Sequence, residues 1–203
     1  MKKISNNVFE RSQVTHSCIY WEDVFNNEEI ALIAQECERS ELMTATVGED
    51  ALNESIRKSN VNFHNRNDNN AWIFDRFNSA IAEINEKFYG FDLYGYDFYQ
   101  YSQYKGEENG RYDFHMDMSI GTERARENAT RKLSLTLLLN EPNVDFEGGD
   151  FQIATGLEKD AKNISTKKGT LVAFPSFIHH RVTPVTRGVR KSVVIWVEGP
   201  KFR

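Results

Sequence analysis

Gly169-Thr170-Leu171-Val172-Ala173-Phe174, closed by Pro175, is the stretch on which the fold class turns. It is an apolar run of strand length, bounded by a glycine and a proline. The chain on either side repeats this style. Downstream, His180 to Val185 and Lys191 to Val197 read as two further strands. Upstream, Phe151-Gln152-Ile153 follows a turn at Glu147-Gly148-Gly149-Asp150, whose glycines permit positive φ. Leu133 to Asn140 reads as a continuous apolar run, and Tyr96-Asp97-Phe98-Tyr99-Gln100-Tyr101 nearly alternates.

Before Gly90 the pattern differs. Residues 19–26 read as a strand running into a helix cap. Asn26 or Asn27 caps the helix, Glu28 and Glu29 occupy its first turn, and a stripe through Ile30, Ile33 and Cys37 carries it to about Leu42. Residues 43–62 are strand-like, and His64-Asn65-Arg66-Asn67-Asp68-Asn69-Asn70 is a polar loop. Ile73, Phe74, Phe77, Ile81, Ile84 and Phe88 recur at helical spacing, predicting a second helix over about Ala71 to Phe88 with a core-facing stripe. Helices first and short strands later predict a mainly β fold with N-terminal helices: a barrel or sandwich at about 91–200, buttressed by about 26–90. At 203 residues the chain is expected to form one domain, 1–203.

Bulk properties narrow the function. A mean hydropathy of -0.60, with no apolar run near the ~20 residues a spanning helix needs, argues against a membrane protein. The N-terminal residues Met1 to Asn7 have no apolar core after them and do not read as a secretory signal. Cys18 and Cys37 do not make a framework and are expected as free thiols in a reducing compartment, the cytoplasm of a bacterium or a phage-infected cell. A net charge of -5 argues against nucleic acid as a partner.

The chemistry-bearing residues are His115-Met116-Asp117, then His180, then Arg190. On a strand, residues i and i+2 share a face, so His115 and Asp117 should point together. A later histidine would complete two imidazoles and one carboxylate on one side of a metal, the set associated with non-haem Fe(II) oxygenases. His179 and His180 cannot both face that side. On a strand running through Val182, His180 shares its face with Val182. Arg190 and Ser192 share a face on the next strand, placing a guanidinium fork beside a hydroxyl, a pair suited to a carboxylate.

Four stretches carry a resemblance: Tyr112-Asp113-Phe114-His115-Met116-Asp117, Leu139-Asn140-Glu141-Pro142, Glu147-Gly148-Gly149-Asp150-Phe151, and the run from Phe174 to Arg190 with His180-Arg181-Val182-Thr183-Pro184-Val185-Thr186-Arg187-Gly188-Val189-Arg190 at its end. Together they resemble the 2-oxoglutarate- and Fe(II)-dependent dioxygenases of the prolyl 4-hydroxylase superfamily, and most of all the PKHD-type hydroxylases of bacteria and phages. The resemblance covers about Trp21 to Trp196. It implies a double-stranded β-helix (jelly-roll) core with N-terminal helices packed on one sheet. It makes His180 the distal metal ligand beside His115 and Asp117, and leaves His179 out. It makes Arg190 the anchor of 2-oxoglutarate, with Ser192 and Tyr104 assisting. Ile56-Arg57-Lys58-Ser59 resembles an Arg-x-Ser element near a substrate groove, to which Tyr112 and Trp196 are added. Collagen-type members carry Lys where Arg190 stands, and the C-terminal extension frequent in PKHD proteins has no counterpart after Trp196.

The implied activity is hydroxylation of an unactivated C–H bond with Fe(II), 2-oxoglutarate and O2, and ascorbate as reductant. The protein then positions and shields while the cofactor does the hard step. Asp117 favours hydroxylation over halogenation, for which related enzymes carry a small residue in its place. The implied substrate is a prolyl residue in a protein or peptide. The alternatives are a small molecule or free amino acid, or a jelly-roll binding protein without catalysis. The charged segment from Met118 to Thr130 is a candidate lid, and the His64 to Asn70 loop a second rim element.

Overall fold

The structure is a computed structural model in which residues 16–46, 53–118 and 129–201 are described. Among them, thirteen strands follow in order: β1 (Ile19–Trp21), β2 (Met43–Thr44), β3 (Arg57–Lys58), β4 (Asn60–Asn65), β5 (Phe98–Lys105), β6 (Arg111–His115), β7 (Ala129–Leu138), β8 (Phe146–Gly148), β9 (Phe151–Ala154), β10 (Lys162–Ile164), β11 (Leu171–Pro175), β12 (His179–Val182) and β13 (Val185–Pro200). Helix α1 (Asn27–Cys37) precedes β2, and α2 (Ala71–Ile84) precedes β5. A π-turn, Asn85–Tyr89, extends α2 to Gly90, where φ of 62° stops it.

The strands form two antiparallel sheets. The major sheet runs β1-β11-β7-β13-β5-β4-β2, with β8 added to β13, and the minor sheet runs β10-β9-β12-β6-β3. This is the jelly-roll arrangement, with both helices on the outer face of the major sheet. Ile30, Ile33, Ile73, Phe74, Phe77 and Ile84 from the helices meet Leu133, Leu135, Leu137, Leu171, Val193, Ile195 and Val197 from the sheet. A second cluster, including Leu138, Phe151, Ile153, Val172, Phe174 and Val182, fills the space between the sheets.

Several expectations change in detail. Asn26 is the cap of α1: its side chain accepts from the Glu29 N–H at 2.9 Å, and Glu29 Oε2 accepts from the Asn26 N–H at 2.9 Å, a reciprocal capping box. The helix ends at Cys37, short of Leu42, because Asn62 Nδ2 donates to the Cys37 and Ser40 carbonyls at 2.9 and 3.0 Å. Those groups are thus satisfied by a side chain from β4 and not by another turn of helix. The stretch 43–62 is not one strand. β2 and β4 belong to the major sheet, β3 to the minor one, so the chain changes sheets at buried Ser59. His64 and Asn65 extend β4, which leaves residues 66–70 as the loop.

Leu133 to Leu138 is an alternating strand, not a uniformly apolar one. Leu133, Leu135 and Leu137 pack against the helices, while Ser134 and Thr136 face inward. The two strands expected after His180 become β12 and the sixteen-residue β13, separated by Thr183 and Pro184.

Candidate metal centre and the cleft around it

His115 is the last residue of β6, and His180 is its direct cross-strand partner on β12. Directly opposed residues bring their Cβ atoms to about 4.5–5.5 Å, so pairing of the two strands alone brings the imidazoles together. Their ring centroids lie 4.2 Å apart. His180 is buried with Val182 on the inner side of β12, and His179 points out toward Glu158, with Nδ1 3.7 Å from Oε1.

Asp117 joins them by a different route from the one expected. β6 stops at His115, so strand alternation does not orient the carboxylate. The chain bends so that the N–H groups of Asp117 and Met118 both donate to the Ser176 carbonyl at 2.9 Å. Ser176 is itself held, its N–H donating to the Lys132 carbonyl at 3.0 Å and its hydroxyl bonded to that of Ser134 at 2.9 Å. The bend turns Asp117 inward to a buried position and leaves Met116 44% exposed.

The hydrogen bonds fix the histidine tautomers. Nδ1 of His115 donates to the Asp113 carbonyl at 2.8 Å, and Nδ1 of His180 donates to the Ile178 carbonyl at 3.0 Å. A carbonyl only accepts, so each Nδ1 carries the proton and each Nε2 presents a lone pair. Those lone pairs face Asp117: His115 Nε2 is 3.6 Å from Oδ1 and His180 Nε2 is 3.5 Å from Oδ2. Asp117 Oδ2 is buried without a hydrogen-bond partner among the described residues. One ligand atom from each of the three residues lies within 4.8 Å of the others. Burial of acceptors facing acceptors is costly unless a cation lies between them. Two imidazoles and one carboxylate on one side, with the other side open, fit a ferrous ion.

Electrostatics agree. Burial pushes the His180 imidazole down to about 4, against the opposing pull of Asp117, so it is a neutral donor at physiological pH.

A stack supports the outer ligand. The Tyr112 ring lies on the His115 imidazole with centroids 3.5 Å apart and planes 14° apart, and the Arg57 guanidinium lies 4.6 Å from the Tyr112 centroid. Arg57 and Tyr112 are cross-strand partners on β3 and β6. Arg57 Nε donates to Ser59 Oγ at 3.0 Å, which holds the guanidinium in place.

The far end of the cleft is built by a third cross-strand pair. Arg190 on β13 lies opposite Tyr104 on β5, with its guanidinium 5.7 Å from the Tyr104 ring. Arg190 is 2% exposed, Nη1 donates to Ser192 Oγ at 3.1 Å, and Nε is a buried donor with no partner among the described residues. Burial lowers the guanidinium pKa, with Tyr104 and Asp150 opposing, so an anion there would relieve a desolvated charge. Gly149 makes room: at φ of 65° it adopts a conformation other residues resist, and a Cβ there would stand 2.9 Å from Arg190 Cδ. Asn140 braces the backbone on both sides, Nδ2 donating to the Val189 carbonyl at 2.7 Å and Oδ1 accepting from the Lys191 N–H at 3.0 Å.

His115, Asp117, His180, Arg190, Ser192, Tyr104, Arg57, Tyr112 and Trp196 all line this one cleft. Trp196 Nε1 is a buried donor without a partner among the described residues. Sequence reasoning missed Gln100, Thr136, Phe151 and Phe174, which complete the walls. Strand parity carried the signal for two of them: Gln100 is in phase with Tyr104, and Thr136 is out of phase with the leucines around it. His64 is not a rim residue. It is buried, stacked on Tyr99 at 4.9 Å and bonded to Asn62 at 2.7 Å. Of the candidate lid, residues 119–128 lie outside the described residues.

A family profile described as the 2OG-Fe(II) oxygenase superfamily matches residues 99–198, the span carrying both histidines, Asp117 and Arg190. A PKHD-type hydroxylase of Teredinibacter turnerae is 36% identical over 89 residues, covering 44% of this chain and 38% of that protein. One from Psychrobacter is 39% identical over 88 residues, covering 43% and 33%. The matches thus span about two fifths or less of the length of these curated relatives. Among solved structures, a Pseudomonas putida prolyl-4-hydroxylase superposes with a TM-score of 0.70 at 22% identity, covering 92% of this chain and 95% of that one. A Trichoplax adhaerens prolyl hydroxylase, solved with a peptide fragment of hypoxia inducible factor, gives 0.71 at 16% identity over 89% and 83%. These structures share the fold. Over residues 99–198 the chain matches the 2OG-Fe(II) oxygenase superfamily, and the ferrous-type donor set lies inside that match.

Proposed function

We propose that this chain is an Fe(II)- and 2-oxoglutarate-dependent dioxygenase that hydroxylates a prolyl residue of a peptide or protein. One observation carries the enzyme reading. Three converging lone-pair groups, one of them with an orphaned carboxylate oxygen, share a cleft with a buried guanidinium whose Nε also lacks a partner.

His115, Asp117 and His180 would hold the iron. Arg190 would take the far carboxylate of 2-oxoglutarate through its fork, with Ser192 orienting the guanidinium and Tyr104 walling the opposite side. When bound, iron, 2-oxoglutarate and O2 supply the oxidant that inserts oxygen into a C–H bond, with succinate and CO2 as by-products. The protein's part is position and exclusion: Phe151, Phe174 and Val182 keep water from the wall behind His180, and Tyr112 holds the plane of His115. Trp196 Nε1 and Arg57, on the substrate side, are donors suited to peptide carbonyls. Ascorbate would restore ferrous iron after turnover without substrate. The prolyl and peptide assignment draws support from the PKHD-type relatives and from the prolyl hydroxylase folds, one of them solved with a peptide.

The test is succinate formation from 2-oxoglutarate with Fe(II) and ascorbate, alone and with proline-containing peptides, read with the mass gain of one oxygen atom on the peptide. Asp117→Ala should weaken metal binding by more than about 100-fold, beyond the usual loss for an outer-shell partner. Wild-type protein that makes no succinate, while Asp117→Ala binds Fe(II) equally well, defeats the enzyme reading. Oxidation of free proline but of no peptide moves the substrate to the small-molecule class.

A further inference from the structure

The inner face of the major sheet does not end where the cleft ends. Gln100 lines the cleft, and its direct partner on β4 is Phe63. Opposed residues in an antiparallel pair share a face, so Phe63 stands on the cleft's own floor, one strand farther out. Phe98, two residues before Gln100, is on that face as well, and the two phenylalanines form an edge-to-face pair with centroids 5.3 Å apart. One more strand out, Met43 pairs with Val61 on the same face. Phe63 is 45% exposed and Met43 56% exposed.

The result is an apolar strip that starts at Gln100 and Trp196 and runs outward across β4 to β2. Two strand spacings amount to about 10 Å, or roughly three residues of extended chain. A small metabolite seated at the iron does not reach that far. An extended polypeptide does, and the partnerless Trp196 Nε1 inside the cleft is a donor awaiting a carbonyl oxygen.

We propose that Phe63, Phe98 and Met43 form a docking strip for an extended peptide substrate, receiving an apolar side chain about three residues from the residue held at the iron. This rests on the dioxygenase reading for the place of the reaction, but the strip itself is testable by binding alone. It makes the protein select its target by an apolar residue at a distance as well as by the residue it oxidises.

The probes are two fluorescently labelled peptides, Ala-Leu-Ala-Ala-Pro-Ala-Ala-Leu-Ala and acetyl-Ala-Pro-Ala-amide, titrated by anisotropy against the Mn(II)-loaded full chain with 2-oxoglutarate. The long peptide should bind about tenfold tighter, the scale expected for partly burying one leucine. Replacing both leucines of the peptide by serine should erase the gain, as should Phe63→Ser or Met43→Ser in the protein. Met43→Ser guards against a folding defect at Phe63, and unchanged Mn(II) affinity of both variants verifies an intact centre. Equal binding of the two peptides, a gain that survives both substitutions, or no binding of either peptide overturns the strip. Succinate formation by wild type is measured in parallel, so loss of the strip with turnover retained is distinguishable from failure of the dioxygenase reading.

Discussion

The outer and inner faces of the major sheet are made by the same strands and do opposite things. On β7, Leu133, Leu135 and Leu137 meet the helices while Ser134 and Thr136 look into the jelly roll. On β13, Val193, Ile195 and Val197 go outward, and Arg190, Ser192, Val194 and Trp196 go inward. On β7 and β13 the outer face is apolar. The other carries buried polar atoms, some without partners in the protein. Stability and chemistry are therefore interleaved residue by residue, and a slip of one position would exchange them.

The sharpest break of this comparison is on the outer face. Leu135→Ala should cost about 2–5 kcal/mol of unfolding free energy in urea, the range for a buried leucine, while metal affinity at native conditions stays unchanged. A fall in metal affinity as large as the fall in stability would mean that the two faces are not separable. On the inner face, Arg190→Lys keeps the charge and loses the fork. A hydrogen bond to a charged group contributes about 1.5–3 kcal/mol, so the KM for 2-oxoglutarate should rise roughly 10- to 100-fold, with the melting temperature little changed.

Asn140→Ala tests the brace behind Arg190. Losing its two bonds to Val189 and Lys191 should weaken 2-oxoglutarate binding by roughly fivefold without touching metal affinity, about 1 kcal/mol of positioning. An equal loss in both would assign Asn140 to the general fold.

The smallest expected effect is on pH and belongs to the helix side. Asn62 Nδ2 donates to two carbonyls, so its Oδ1 accepts a hydrogen bond from Nε2 of His64. Burial lowers its pKa. Between the folded pKa and the unfolded value of about 6.5, the unfolded chain binds more protons, so stability rises with pH and is lost as pH falls below about 6.5. His64→Gln should flatten that acid limb in urea unfolding followed from pH 7 to pH 5. An unchanged limb would assign it to other groups.

How much of this was legible depended on range. Parity along one strand is local, so Arg190 with Ser192, and His180 apart from His179, could be read directly. Cross-strand pairing is not local. Nothing near His115 marks His180 as its partner, nor Tyr104 as that of Arg190, nor Arg57 as that of Tyr112; these are products of sheet register. The family resemblance supplied those residues without their geometry. Asp117 shows the limit of parity: its orientation comes from the Ser176 carbonyl on a distant segment. The leucines of β7 mask Ser134 and Thr136 because they dominate its composition, while only the alternation marks the inner face.

β13 has a further consequence, for how the protein comes into being. It lies between β7 and β5 and also carries β8, so three strands that precede it in the chain have no neighbour on one side until it arrives. During synthesis β5 and β7 are made long before residue 200 leaves the ribosome, and their bare edges are the kind that pair with other chains. The same late strand carries Arg190 and Ser192. On the proposed reading, a nascent or partly unfolded chain can hold its two histidines and still lack Arg190, so 2-oxoglutarate would act as a ligand of the finished protein alone and shift its folding equilibrium by mass action.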